Sequence, residues 1–172
     1  SDLAAKGAVP AGFVLTLALR DVREAWLEPF VKALGEDAVA FGCPLLGGDT
    51  VSTPGPLMIS VTIFGKLPAG TMVRRDGAKP GDIIVVTGTI GDAALGLACL
   101  KGKKLLDDAS ACDALVARYR IPQPRNALAE AIRTHANAAM DISDGLAGDL
   151  AKLCAASKVS ATVEASTIPF SD

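Results

Sequence analysis

Hydrophobic positions along the chain come in short runs, and their spacing predicts strands and helices in alternation. In the stretch 57–66, Ile59, Val61 and Ile63 alternate with Ser60 and Thr62, which is the period of a half-buried strand. The same reasoning predicts strands at 12–19, 57–66 and 83–86, helices at 21–41, 93–100, 108–119, 126–135 and 145–156, and extended segments at 137–142 and 159–165. Asp92 is expected to cap the helix that follows it.

The alternation of strands and helices, without internal repeats, indicates a mixed α/β protein. An α+β fold is favoured because the two longer strands alternate in polarity and are not uniformly apolar. After Lys66 the chain becomes rich in glycine, proline and charge. We therefore predict a domain boundary there, with one domain at 1–66 and a second at 67–172.

Composition excludes several classes of protein. Hydrophobic residues make up 50% of the chain and charged residues 21%, which is enough apolar material for a core. The net charge is −2 and aromatic residues are only 4%, so bulk charge and stacking do not favour nucleic acid. The uncharged stretch 7–19 is too short to span a membrane. We expect neither nucleic acid nor membrane as a partner.

The cysteines and the histidine narrow the chemistry further. The four cysteines show no CxxC spacing and are predicted to be buried free thiols of a cytoplasmic protein. His135 is the sole histidine, which largely excludes histidine-based zinc sites and histidine relays. The chain opens Ser1-Asp2 without a signal peptide or an initiating methionine, and we expect it to be a processed or excised segment.

The first candidate site lies at Gly47-Gly48-Asp49-Thr50. Two glycines allow a phosphate or a metal to approach the backbone closely, and Asp49 and Thr50 offer oxygen ligands suited to Mg²⁺. The alternative is a tight turn in which Asp49 caps its own backbone.

A second candidate site lies at 140–146, where an extended segment gives way to a helix. Asp141 lies between Met140 and Ile142, where an acid is costly unless a cation or hydrogen bonds pair it. Asp144 falls at the predicted helix start, so capping is its alternative role. With Ser143, these acids could form a metal and phosphate site.

Two further segments are weaker candidates. Arg74 and Arg75 could contact phosphate through a guanidinium group, or they could belong to a solvated loop. The run TGTIGD at 87–92 lacks the spacing of a P-loop and of a dinucleotide fingerprint, so its glycines are assigned to the turn.

Four segments, in this order and spacing, resemble the thiamine-monophosphate kinase family: SDLAAKGAVP at 1–10, LLGGDT at 45–50, RRDGAKPGDIIVVTGTIGDAALGL at 74–97 and AAMDISDGLAGDL at 138–150. That family is part of an ATP-binding superfamily with aminoimidazole ribonucleotide synthetase and selenide,water dikinase. The resemblance implies a two-domain mixed α/β architecture, of which this chain is the central part, truncated at both ends.

The resemblance also implies roles for individual residues. Asp2, Asp49, Asp141 and Asp144 match Mg²⁺ ligands, whereas Gly48, Asp49, Arg75 and Ser143 match ATP contacts. Several Mg²⁺ ions and ATP as co-substrate are thus implied. Asp49 and Asp141 are expected to come together in space, because several acids must converge on shared cations.

The implied reaction transfers the ATP γ-phosphoryl group to thiamine phosphate, giving thiamine diphosphate and ADP in the cytoplasm. Bound Mg²⁺ neutralises the two anions, so no protein nucleophile is expected. A homodimer is implied, and the segment alone is expected to be inactive because acceptor contacts lie outside it. The alternatives are another ATP-using member of the superfamily with a different acceptor, or an inactive dimerisation module.

Overall fold

The computed structural model describes residues 1–103 and 108–171. The chain divides into two compact units. The sheet unit is Gly7–Met72, and the helical unit combines Ser1–Lys6 with Val73–Asp172. Within the described ranges, no helix has the length and apolar character needed to cross a membrane.

In the described residues, the strands all lie in the sheet unit and all but one of the α-helices lie in the helical unit. In chain order the elements are α1 (Asp2–Ala5), β1 (Val9–Leu19), α2 (Glu24–Ala40), β2 (Leu45–Ser52), β3 (Met58–Lys66), α3 (Asp92–Leu100), α4 (Ala109–Arg120), α5 (Ala129–His135) and α6 (Leu146–Ser157). Short 3-10 turns precede α5 at Asn126–Leu128 and follow α6 at Ala165–Thr167. The α+β prediction is confirmed.

The sheet unit is built around β1. The three strands lie in the order β2-β1-β3, with β1 parallel to β2 and antiparallel to β3. Alternate residues of β1 form a buried cluster with Cys43, and α2 covers it: Phe13, Leu15, Leu17 and Leu19 pack against Trp26, Leu27, Phe30, Leu34 and Ala38. Each large apolar side chain buried in this way contributes about 1.5–3 kcal/mol.

The Gly47–Thr50 segment is part of β2, so its interpretation as a tight turn is wrong. Gly48 pairs with Leu15, and Asp49 pairs with Thr16. A Cβ atom at Gly48 would lie 1.8 Å from the carbonyl oxygen of Leu15. A glycine is therefore required for this strand to pair so closely with β1.

In the helical unit, α3 and α4 pack backbone against backbone. A Cβ atom at Gly96 would lie 2.1 Å from the carbonyl oxygen of Leu115. The same packing brings Cys99 and Cys112 together, with 6.2 Å between their Cα atoms, and a disulfide joins them. The free-thiol prediction is wrong for these two cysteines because the helix packing pairs them, whereas Cys43 and Cys154 are free.

Two local predictions are also wrong. Residues 83–86 form no strand, because the strand pairing found in the described residues joins only β1, β2 and β3. Asp92 does not cap α3, whose N-cap is Gly91. The Asp92 side chain instead accepts hydrogen bonds from the hydroxyls of Thr89 and of Ser171, the latter at 2.7 Å.

Replacing Gly96 with alanine tests the packing of α3 on α4. Alanine favours an exposed helix by about 0.5–1 kcal/mol over glycine, but at Gly96 the added methyl group has no space. We expect Gly96→Ala to lower the free energy of unfolding in urea by about 1–3 kcal/mol. Gly35→Ala, in α2, is the matched control, because nothing lies within 4 Å of its added Cβ, and it should stabilise. Equal stabilisation by both variants would contradict the packing.

Candidate functional site

The segments that carry Asp2 and Asp141 lie side by side in the helical unit. The Ser1 hydroxyl donates a hydrogen bond to Oδ2 of Asp141 at 3.2 Å, across 140 positions of sequence. The Lys6 ammonium donates to the carbonyl of Ala139 at 3.4 Å. The N-terminal motif is thereby anchored beside the segment that leads to Ser143 and Asp144.

The loop that carries Arg75 is hydrogen-bonded to the same two segments. The backbone N–H of Ala139 donates to the Arg74 carbonyl at 3.1 Å, and the N–H of Val73 donates to the Lys6 carbonyl at 3.2 Å. A Cβ atom at Gly77 would lie 2.2 Å from the carbonyl oxygen of Asn137, so the loop requires glycine there. Three motifs far apart in sequence therefore meet in one unit.

The end of α6 fixes the backbone of this loop. The Ser157 hydroxyl donates to the Arg75 carbonyl at 2.7 Å and accepts the Ala78 N–H at 3.1 Å. The side chains of the two arginines of this loop differ in their contacts. Arg74 makes two hydrogen bonds to Asp76, at 2.8 and 2.7 Å. The hydrogen bond from Arg74 lowers the pKa of Asp76. The Arg75 side chain is exposed.

Charges of both signs surround Lys6. The pKa of Lys6 is lowered, mainly by burial and also by the nearby Arg75 guanidinium. Asp141 and Asp2 raise it, but by less. Two acids and two cations are thus close enough to influence one another. The charges of Lys6, Arg75, Asp2 and Asp141 therefore partly offset one another.

A buried acid organises the segment 143–144. Asp149 is only 1% exposed, and its Oδ2 accepts the backbone N–H groups of Ser143 and Asp144, both at 2.9 Å. Its Oδ1 accepts a hydrogen bond from the Lys152 ammonium at 2.9 Å. The Lys152 bond, followed by the Asp144 N–H, lowers the pKa of Asp149 to about 2. A buried carboxylate with this many donors stays ionised.

Asp144 itself does not cap the helix that follows it. The N-cap of α6 is Gly145, with no side-chain capping bond, so the capping alternative for Asp144 is wrong. The Asp144 side chain is 70% exposed, and its Oδ2 lies 2.5 Å from the Lys152 ammonium. Its carboxylate is accessible to solvent and forms an ion pair with Lys152.

The sheet unit holds the other predicted contacts, Gly48 and Asp49. Asp49 is exposed on β2, and its Oδ1 accepts the Thr50 N–H at 2.8 Å. The approach of Asp49 to Asp141 stays a prediction.

The donor chemistry suits Mg²⁺. Over residues 1–103 and 108–171, no three acidic, histidine or cysteine side chains are arranged to hold a metal by themselves. Mg²⁺ is commonly bound through one or two carboxylates, with phosphate and water oxygens completing its shell. Exposed carboxylates such as those of Asp49 and Asp144 match that need.

Sequence reasoning missed three residues of this region, Asp149, Lys152 and Ser157. An acid in the first turn of the helix predicted at 145–156 was a usable signal for Asp149, since acids favour helix N-termini. Ser157 offered no comparable signal, because its partners lie about 80 positions away. A depression of about 540 Å³ lined by 82–86, Leu146, 162–164 and 167–169 contains none of the predicted site residues.

Two stretches of the sequence match known protein-family domains. Residues 1–67 match the N-terminal domain of AIR synthase related proteins, and residues 79–172 match their C-terminal domain. The chain therefore belongs to the AIR synthase related protein family.

Two of the proteins similar to this chain are thiamine-monophosphate kinases. The chain is 46% identical to the thiamine-monophosphate kinase of Escherichia coli K12, over 100% of this chain and 52% of the relative. The crystal structure of thiamine-monophosphate kinase from Stenotrophomonas maltophilia K279a is similar with a TM-score of 0.88 and 41% identity, covering 99% of this chain and 54% of that one. The chain spans about half the length of the curated relatives it matches.

A second similar structure contains ligands. AaThiL complexed with AMPPCP and TMP matches with a TM-score of 0.82 and 32% identity, over 91% of this chain and 50% of that one.

The ionised state of Asp149 can be tested by pH. Its folded pKa of about 2 lies below the usual value near 3.9, so the charge stabilises the fold above about pH 4 and this contribution is lost as pH falls toward 2. We expect Asp149→Asn to melt at a lower temperature than the wild type at pH 6, with the difference shrinking toward pH 2.

Asp113→Asn, on an exposed position of α4, controls for the loss of one carboxylate. Melting temperatures of all three proteins are measured at each pH. A wild-type advantage over Asp149→Asn that is constant from pH 6 to pH 2 would show that the charge of Asp149 contributes nothing.

Proposed function

We propose that this chain is the ATP- and Mg²⁺-binding part of a thiamine-monophosphate kinase that makes thiamine diphosphate. The observation that carries the proposal is the meeting of the Asp2, Arg75 and Asp141 segments, in a chain 46% identical to such a kinase along its whole length. AaThiL, a similar protein, binds TMP (thiamine monophosphate) and the ATP analogue AMPPCP.

In this proposal the acids hold the metal and the remaining contacts hold the nucleotide. Asp2, Asp49, Asp141 and Asp144 would bind Mg²⁺, which supplies positive charge between two repelling phosphates. Arg75 contacts the phosphates of ATP through its exposed guanidinium, and Ser143 donates a hydrogen bond to the nucleotide. Gly48 lets the nucleotide approach the backbone of β2 closely.

The reaction is a direct transfer. A phosphate oxygen of thiamine monophosphate attacks the γ-phosphorus of ATP in line with the bridging oxygen, and the bond to that oxygen breaks as ADP leaves. Positioning and charge neutralisation supply the catalysis, so no side chain forms a covalent intermediate. Ser157 and Asp149 contribute by holding the backbones of Arg75 and Asp144.

We also propose that the protein is a cytoplasmic homodimer. β3 is an edge strand whose apolar side chains, including Val61 and Phe64, are 43–55% exposed. Such an edge favours association with another strand or sheet face. Sedimentation equilibrium of the complete gene product should give twice the monomer mass, and a monomer at micromolar concentration would contradict the proposed dimer.

The direct test is an assay of the complete gene product with Mg²⁺, ATP and thiamine monophosphate. We expect thiamine diphosphate and ADP in equal amounts, measured by chromatography, and no product from the 172-residue chain alone. Selenide and an aminoimidazole precursor are offered as competing acceptors. ATP consumption that depends on one of these acceptors, and none with thiamine monophosphate, would favour another activity of the superfamily.

Arg75 provides a test of nucleotide binding. Loss of a charge-assisted contact to phosphate costs roughly 1.5–3 kcal/mol, so Arg75→Ala should weaken ATP binding about tenfold to a hundredfold in calorimetry. Arg75→Lys should recover only part of this, because an ammonium makes no two-pronged contact.

Arg74→Ala is the matched control, because Arg74 is bound to Asp76. It should leave ATP affinity within about twofold, the size of an exposed ion-pair effect. If Arg74→Ala weakens ATP binding and Arg75→Ala does not, the assignment of Arg75 is wrong.

A further inference from the structure

The Asp144 carboxylate, a predicted Mg²⁺ ligand, is already paired with a cation that belongs to the chain. The Lys152 ammonium lies 2.5 Å from Oδ2 of Asp144 and 2.9 Å from Oδ1 of Asp149. It therefore bridges one exposed acid, which is 70% accessible, and one buried acid, which is 1% accessible.

The two ends of this bridge are not equivalent. Asp149 is fixed, because it is buried and its other oxygen accepts two backbone N–H groups. Lys152 lies one helical turn after Asp149 on α6, a spacing at which side chains meet. Asp144 is exposed and sits outside the helix, so its carboxylate can exchange partners without breaking the Asp149–Lys152 pair.

We propose that Lys152 is a built-in counter-cation that occupies the Asp144 carboxylate in the absence of metal and yields it to Mg²⁺, with Asp149 retaining the ammonium throughout. This inference rests on the proposed function, which makes Asp144 a metal ligand. Lys152 and Asp149 are thus positioning residues for that ligand.

Elementary electrostatics supports an exchange of partners. An ammonium and a divalent cation on the same carboxylate repel each other strongly at contact distances. A buried carboxylate that lost its cation would be costly, and Asp149 avoids this cost because Lys152 remains bonded to it. The Lys152 side chain is half exposed, at 51%, so its ammonium can turn from Asp144 toward solvent while it stays bonded to Asp149.

We expect the substitution Lys152→Met to have opposite effects without and with Mg²⁺. Without metal, Lys152→Met leaves Asp144 and Asp149 without their shared cation and should lower the melting temperature in EDTA. With metal, the same variant has no competitor at Asp144 and should bind Mg²⁺ about twofold to fivefold more tightly, the range for a partly exposed ion pair. The rise in melting temperature caused by Mg²⁺ should then exceed that of the wild type.

The test uses the complete gene product and calorimetric titration with Mg²⁺. Lys101→Met, at the exposed end of α3, changes the net charge equally and should bind Mg²⁺ as the wild type does. If Lys152→Met does not fold, Lys152→Gln retains a hydrogen-bond donor for Asp149 and takes its place. The advantage of the variant should shrink as salt screens the lost ion pair.

A second readout follows Lys152 directly. Amine-labelling rates, measured by mass spectrometry, should rise at Lys152 when Mg²⁺ is added and stay constant at Lys101. A role of Lys152 in folding alone would not produce this change.

The outcomes separate the two claims. Mg²⁺ binding that is unchanged in Lys152→Met, with an unchanged labelling rate at Lys152, overturns this inference and leaves the proposed function standing. A wild-type protein that binds no Mg²⁺ even with ATP overturns both.

Discussion

The buried carboxylate of Asp149 is the group on which the geometry of the Ser143–Asp144 backbone depends. It collects the N–H groups of Ser143 and Asp144 and the ammonium of Lys152, and each of these bonds is 2.9 Å long. A carboxylate buried among donors is rigid, because any displacement leaves a charge unpaired. The exposed side chains of Ser143 and Asp144 are thereby presented from a fixed backbone, as a site for ATP and metal requires.

The helical unit distributes its charges so that acids proposed to bind metal have cations nearby. Lys152 contacts Asp144, and Lys6 lies within the electrostatic influence of Asp2 and Asp141. Helix α6 links these features, because its first turn contains Asp149 and its last residue, Ser157, holds the Arg75 carbonyl. A single helix thus connects the proposed metal ligands to the proposed phosphate contact.

Local patterns predicted the elements whose hydrophobic positions are regular, such as β1, β3 and α2. They failed for β2, because Gly47 and Gly48 carry no hydrophobic signal and the strand exists through its pairing with β1. They also failed for 83–86, since a β-branched run becomes a strand only with a partner. Residue context pointed to Asp49, Asp141 and Asp144, and the family resemblance assigned their roles. The spacing of Asp149 and Lys152 is visible in the sequence, whereas the contact of Lys152 with Asp144 depends on tertiary geometry.

Amide hydrogen exchange at Ser143 and Asp144 measures the constraint imposed by Asp149 most directly. Both N–H groups lie outside α6, so their protection must come from the Asp149 carboxylate. We expect both amides to exchange slowly in the wild type and rapidly in Asp149→Ala, while amides in the middle of α4 are unchanged. Exchange of Ser143 and Asp144 at the rate of an unfolded chain in the wild-type protein would contradict this expectation.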